Sequence, residues 1–353
     1  MDCFADQGVD VDPASVQEIP FIEGPASILF KVSPRGATDP KKLKDKSQTL
    51  KLKLKLGQEQ EIMFSIDKGF VNIDVPKLPN QRYFVSAKNM WANWSRPESS
   101  LAAPLGEDRF GELVDIDFSN SLSPHLLIGG TTGSGKSEAL NVILYGLVKY
   151  YSPKELRLLL VDPKGTELLS FDKTPHLEGV ISWDDVDALG LLKKAVAEMQ
   201  SRYEKLRQSG CRSIAEFNAQ TPDDSRLPWW LVVLDEYADL TSDPSMKKEI
   251  EAELKRLAQK ARASGIHVII ATQKPSAEVI STNLRANLPA QLALRVKSAT
   301  ESRVIMDESG AEMLNGRGDA YLKSGGSTTR VQCALVTKED SNLILDELGS
   351  LRT

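Results

Sequence analysis

The sequence predicts an α/β fold, a mostly parallel sheet flanked by helices and preceded by a small α+β region. Three observations carry this expectation. Apolar runs at 126–129, 156–162, 229–235 and 266–272 are short and nearly unbroken, as strands buried on both faces are. Stretches of helical texture at 138–150, 184–208 and 244–264 alternate with them, the pattern of parallel strands joined by crossover helices. Upstream of both, shorter runs carry strand composition instead.

In chain order, residues 1–23 are polar and acidic with little periodicity, the composition of a flexible segment. A small region of strand-like composition runs from 24 to about 76. Its runs 26–32, 50–56 and 61–75 read as strands, and in the second Leu50, Leu52, Leu54 and Leu56 alternate with Lys51, Lys53 and Lys55. Period-two alternation places the leucines on one sheet face and a solvated lysine face on the other, a reading preferred to a stripe facing DNA. The preceding stretch, 40–49, could run helical into it. Residues 77–124 are richer in Pro, Asn and Ser and contain Trp91 and Trp94, which suggests a connecting segment with local packing. The strand and helix alternation follows, then a hairpin over 318–336 turning at Gly325-Gly326 and a closing helix over 338–348.

The 353 residues are 41% hydrophobic and 26% charged, close to folded chains in general, which excludes wholesale disorder and low-complexity classes. No apolar run approaches the ~20 residues that cross a bilayer. The acidic N-terminus lacks the basic and apolar regions of a secretory signal, so a cytoplasmic location is expected. Cys3, Cys211 and Cys333 lie far apart without a CxxC pair, which supports neither a zinc site nor a disulfide framework. With a net charge of −5, any nucleic-acid contact must come from local basic clusters. His125, His176 and His267 read as hydrogen-bonded structural residues, and Trp229 and Trp230 as core.

After the strand at 125–129 comes Gly130-Thr131-Thr132-Gly133-Ser134-Gly135-Lys136-Ser137, the GxxxxGKS phosphate loop. Its glycines let the backbone turn sharply and aim N–H groups at phosphate oxygens, and the following helix offers its positive end to the same charge. Lys136 is expected at the β- and γ-phosphates of ATP, and Ser137 on Mg²⁺. The second half of the site is the run 231–234 ending in Asp235 and Glu236, acids at the C-terminal end of a buried strand, where open α/β sheets bind ligands. Asp235 is assigned to Mg²⁺ through water, and Glu236 to orienting and deprotonating the attacking water, with ADP and phosphate as products. Gln273 follows the strand at 266–272 and falls beside the γ-phosphate if that strand lies between the other two. Asp162 and Lys164, at another strand end, are either structural or coupled to the site.

These motifs resemble the FtsK/SpoIIIE double-stranded DNA translocases, in the HerA-FtsK branch of RecA-like P-loop ATPases. The likeness rests on PHLLIGGTTGSGKSEALN (124–141), LLLVDPKGTEL (158–168), EMQSRYEKLRQSGCRSIAEFN (198–218), LVVLDEYADL (231–240), LAQKARASGIHVIIATQKPSAEVI (257–280) and SRVIMDESGAEMLNGRGDAYL (302–322). It implies a small α+β domain over 24–110, a RecA-like ATPase domain over 111–353 and a homo-hexameric ring around duplex DNA. By position, Arg262 matches the family's arginine finger acting on a neighbour's ATP, and Arg303 a basic residue at the subunit boundary. Lys274 and Arg285 match pore-loop residues that touch DNA. Ala299 stands where the family often has Lys. The likeness covers the motor and neither a winged-helix module nor a membrane anchor, which fits the engine of a larger protein, for example one with restriction or phosphorothioate-defence partners. The alternative is a type VII-like secretion ATPase moving polypeptides, and a non-hydrolysing scaffold is opposed by Lys136, Asp235 and Glu236.

Overall fold

The structure, a computed structural model, describes residues 11–13, 21–35, 39–57, 60–67, 69–98 and 100–350. Two sheets organise them. The first is a small antiparallel sheet of β1 (Val11–Pro13), β2 (Phe21–Glu23), β3 (Ser27–Pro34), β4 (Met63–Asp67) and β5 (Phe70–Pro76), in the order β1-β3-β5-β4 with β2 also paired to β3. Helices α1 (Pro40–Asp45) and α2 (Ser47–Lys53) cover it, and Val32, Leu43, Leu50, Ile62, Val71 and Ile73 form its core. Most of the segment expected to be flexible, 1–10 and 14–20, lies outside the described residues. Its described pieces, β1 and β2, pair with β3 and so belong to the small sheet.

The strand expected over 50–56 is not formed, and residues 47–53 are helical instead. Asp39 accepts a hydrogen bond from the Lys41 N–H and Pro40 occupies the first helical position, so a helix is already started upstream. Leu and Lys are both good helix formers, and the alternation of Leu with Lys then has no sheet to serve. Only Leu50 turns fully inward, whereas Leu52 and Leu54 are exposed. The run 61–75 is a hairpin, turning near Gly69 with its φ of 83°.

The second sheet begins with α3 (Ala87–Asn93), β6 (Ala102–Asp108) and β7 (Leu113–Asp117), all inside the segment read as a connector. The expected division at 110/111 runs between β6 and β7, two strands paired with each other. Then follow β8 (His125–Gly129), α4 (Lys136–Tyr150), β9 (Leu156–Val161), α5 (Asp185–Ser209), α6 (Ile214–Ala219), β10 (Trp229–Leu234), α7 (Pro244–Lys260), β11 (Ile266–Thr272), α8 (Thr282–Arg285), β12 (Ala290–Leu294), α9 (Ala299–Met306), β13 (Asp319–Ser324), β14 (Ser327–Cys333) and α10 (Lys338–Ser350). Nine strands lie in the order β7-β6-β14-β13-β12-β8-β11-β10-β9. From β12 to β9 every pairing is parallel, and from β7 to β12 every pairing is antiparallel.

Both faces of the parallel part are covered. Leu126 and Ile128 of β8 and Leu231 and Val233 of β10 pack with α4 on one face, whereas Leu127, Val232 and Leu234 pack with α5 and α7 on the other. This two-sided burial is why these strands read as unbroken apolar runs. Among the described residues, no helix is long and apolar enough to cross a membrane. The two sheets are joined by a buried charge cluster in which Arg330 of β14 pairs with Asp319 of β13 and Asp74 of β5.

Candidate nucleotide site

Parallel strands deliver their C-terminal ends to one edge of a sheet, and here β11 lies between β8 and β10. The condition set for Gln273 is therefore met: it follows β11, next to the phosphate loop that follows β8 and the acid pair that follows β10. Its side-chain carbonyl accepts a hydrogen bond from the Thr132 hydroxyl at 3.0 Å. Gly130 N donates to Thr272 O and Thr131 N to Arg295 O, which ties the loop to both neighbouring strands.

Gly135 has a φ of 100°, in the left-handed region that suits glycine, and starts α4. A Cβ there would lie 2.4 Å from Gly318 N. Gly135→Ala is therefore expected to weaken nucleotide binding about 10- to 100-fold, through strain and a backbone clash together. Titration with ADP reads this, and unchanged affinity would show that the loop does not need its tight turn.

Lys136 and Asp235 are both buried and paired with each other, so the two residues assigned to phosphate and metal already hold one another. Glu236 is buried at 1% exposure with a φ of 48°, a backbone strain of the kind that collects at functional sites. Its carboxylate accepts from the Thr272 hydroxyl at 3.1 Å and from Gln273 N at 3.1 Å, and pairs with Lys164 at 3.3 Å. Lys164 also lies 3.7 Å from Asp239. Burial alone would lower the Lys164 pKa, but the carboxylates of Glu236, Asp239 and Asp235 outweigh it and hold the ammonium above the ordinary lysine range.

Asp162 and Lys164, left open by the sequence, have different tasks. Asp162 is fully buried and accepts from the N–H groups of Lys164, Gly165, Glu167 and Leu168, so it shapes the turn that presents Lys164. The Ser137 hydroxyl in the first turn of α4 and the Asp235 carboxylate after β10, paired with the adjacent Lys136, are hard oxygen donors of the kind that fit Mg²⁺ completed by phosphate and water. Among the described residues no cluster of three His, Cys, Asp or Glu side chains forms a metal cage of its own.

The histidines are structural. His267 Nδ1 lies 2.9 Å from Pro124 O, His176 Nε2 lies 2.7 Å from Tyr151 O, and His125 Nδ1 accepts from Val268 N at 3.1 Å. Burial pushes His125 down to about 3 and His267 down to about 4, so both are neutral at pH 7. His125 opens β8. Cys211 and Cys333 are free and buried, and Cys3 lies outside the described residues.

The remaining candidates do not gather here. Arg262 is exposed in the turn between α7 and β11, at the far edge of the sheet from the phosphate loop. Arg303 is exposed on α9. Lys274 is exposed directly after Gln273, at the edge where the site lies. Arg285 is engaged inside the chain: it donates to Arg303 O at 2.9 Å and Val304 O at 3.1 Å, and pairs with Asp307 at 2.9 Å. Its charge therefore serves the C-terminal end of α9.

Sequence reading missed the loop at 315–318, which packs on the phosphate loop through Gly318 N donating to Ser134 O at 2.8 Å. The signal available was the Gly-Arg-Gly at 316–318, whose meaning depends on a contact between segments far apart in the chain.

The FtsK/SpoIIIE family profile matches residues 85–277, more than half of the chain. The chain is 38% identical over 335 residues to a DNA translocase FtsK of Oceanobacillus iheyensis, covering 92% of this chain and 42% of that protein. It is 36% identical over 334 residues to DNA translocase SftA of Bacillus subtilis, covering 93% of this chain and 35% of that protein. It thus spans well under half the length of these relatives. Among solved structures, the pCW3 conjugation coupling protein TcpA, in its monomer form with ATPγS, has a similar fold, with a TM-score of 0.68 at 24% identity over 100% of this chain and 98% of that one. The cytoplasmic domain of the type VII secretion ATPase EccC of Thermomonospora curvata gives a TM-score of 0.64 at 26% identity over 75% of this chain and 34% of that one. The fold is that of P-loop ATPases, and with the family profile covering the phosphate loop, the acid pair and Gln273 together, the chain belongs to the FtsK/SpoIIIE family.

Proposed function

We propose that the chain is the ATP-hydrolysing motor of a double-stranded DNA translocase, active as a homo-hexameric ring. The observation that carries this reading is the convergence of Lys136 and Ser137, Asp235 and Glu236, and Gln273 on the ends of three adjacent parallel strands. Lys136 and the N–H groups of the loop hold phosphate oxygens, and Ser137 and Asp235 hold Mg²⁺, which supplies charge neutralisation at the transferring phosphate. Glu236 takes the proton of the attacking water, and Gln273 orients the γ-phosphate side. Lys136 pairs with Asp235 and Glu236 with Lys164, so the residues assigned to phosphate, metal and water lie side by side.

DNA as the cargo is supported by the names of the relatives and by Lys274, an exposed cation directly beside the site. A grip through phosphates is sequence-independent and weakens with salt. Arg262 fits a finger acting in trans, because its position at the opposite sheet edge keeps it from its own chain's phosphate loop.

Steady-state ATP hydrolysis at low salt, with and without linear duplex DNA and across protein concentrations, tests the reading. A rise of about 10-fold or more that needs both DNA and high protein concentration is expected, since a finger supplied in trans is worth about 10³–10⁵ in rate when fully engaged. Hydrolysis that stays flat with duplex DNA at every concentration would turn the assignment toward polypeptide transport.

A further inference from the structure

The phosphate loop forms only one end of its cavity. The cavity is 480 Å³, and besides the loop and the neighbouring Glu138, Glu167 and Gln273 its wall is made by six further residues, Phe84, Arg317, Gly318, Cys333, Ala334 and Leu335. None of these six falls within the residues matched by the family profile. The wall is assembled by pairing. Leu335 N donates to Val85 O at 2.8 Å and Ala87 N to Leu335 O at 3.1 Å, so the segment carrying Phe84 is fastened to the segment that follows β14. Phe84 itself is 56% exposed. A single exposed aromatic ring is ordinary on a protein surface. This one lines a cavity continuous with an anion site, in which apolar side chains meet a cation.

That cation is Arg317. Its φ is 55°, between Gly316 at 70° and Gly318 at 88°, so a residue with a side chain occupies a left-handed position where glycine would sit without strain. The strain is held in place on both sides. Gln332 Nε2 donates to Arg317 O at 2.8 Å, Gly318 N to Ser134 O at 2.8 Å, and Cys333 N to Gly318 O at 2.8 Å. Backbone held in a disfavoured region by several contacts points to a side chain that must stand in one place. Arg317 is exposed and stands beside Gly135, at the junction between the phosphate loop and the apolar wall.

We infer that Phe84 and Arg317 form the nucleoside end of the site, Phe84 offering an apolar face to the base and Arg317 a cation between base and phosphates. The inference rests on the ATP reading above and adds the residues that select a nucleotide over a bare polyphosphate. Aromatic faces bind bases by stacking, and a guanidinium adds attraction to a π-system.

The test measures equilibrium binding of ADP and of inorganic tripolyphosphate to the full chain by displacement of a fluorescent nucleotide. Phe84→Ala is expected to weaken ADP about tenfold while tripolyphosphate stays within about twofold of wild type, Arg317→Gly to weaken ADP about tenfold and tripolyphosphate by clearly less, and Phe84→Trp to restore ADP. Arg317→Gly fits the left-handed backbone without strain, so a loss there is not a folding defect. Unchanged ADP binding in both variants, or an equal loss of ADP and tripolyphosphate, overturns the inference. A wild-type chain that binds tripolyphosphate but not ADP also overturns it, and one that binds neither overturns the ATP reading together with it.

Discussion

Glu236→Gln is expected to lower ATP turnover about 100- to 10,000-fold while ADP affinity stays within about threefold of wild type, the range of a lost general base. The substitution keeps the side chain's volume in a site where only 1% of the residue is exposed. The amide oxygen still accepts from the Thr272 hydroxyl and Gln273 N, so the ends of β10 and β11 remain joined. Lys164 loses one carboxylate but keeps Asp239. What is removed is the group proposed to take a proton from water. A single-turnover assay beside an ADP titration separates chemistry from binding. Turnover within about tenfold of wild type would place the base elsewhere.

The second large effect is on stability. Arg330 is 8% exposed, and its guanidinium pairs with Asp319 through Nε at 2.9 Å and Nη2 at 2.8 Å, and with Asp74 through Nη1. Arg330→Met removes the cation and leaves two buried carboxylates, which is expected to destabilise the chain by about 3–5 kcal/mol at pH 7. Replacing Asp74 and Asp319 by Asn in the same variant is expected to recover much of the loss, because no uncompensated charge then remains. Urea unfolding measures both, and a loss below about 1 kcal/mol for Arg330→Met would mean that water reaches the carboxylates.

The pH dependence follows from the same pair. Burial alone would raise the Asp319 pKa, but Arg330 and the N–H donors of Asn315 outweigh it and hold the carboxyl below the ordinary aspartate range. A depressed folded-state pKa contributes stability that is fully present above the unfolded value and is lost as pH falls through the folded one. Wild type is therefore expected to lose this contribution below about pH 4, from the ordinary aspartate value. In Arg330→Met the buried carboxylates favour protonation, so its deficit should shrink as pH falls from 7 toward 4. A deficit constant over that range would argue that the carboxylates are hydrated in the folded variant.

The phosphate loop, the acid pair and the parallel sheet were legible because each is local. A strand buried on both faces is written as a run of apolar residues, and GxxxxGKS encodes a turn, a set of aimed N–H groups and a helix start within one short stretch. Gln273 was legible up to a condition on strand order, which only pairing of β11 with both β8 and β10 could satisfy. Leucine and lysine alternation over 50–56 misled, since period two is evidence for a strand only where a sheet receives it, and here 47–53 is helical, directly after α1 with its cap at Asp39.

Three features depended on tertiary structure alone. The hold of Lys164 on Glu236 joins residues 72 apart, the charge cluster of Arg330 and Asp74 joins residues 256 apart, and the 315–318 loop meets the phosphate loop only through the order of strands in the sheet. Which partner a buried charge takes is set by what the sheet brings within a few ångströms of it. By itself the sequence determined the phosphate-loop motif and the apolar strands that carry it, because a tight glycine turn and a helix start are written in one short stretch. Folding decided which groups pair with Lys136 and Glu236 and which wall completes the cavity, because those depend on distances between strands that no local pattern encodes.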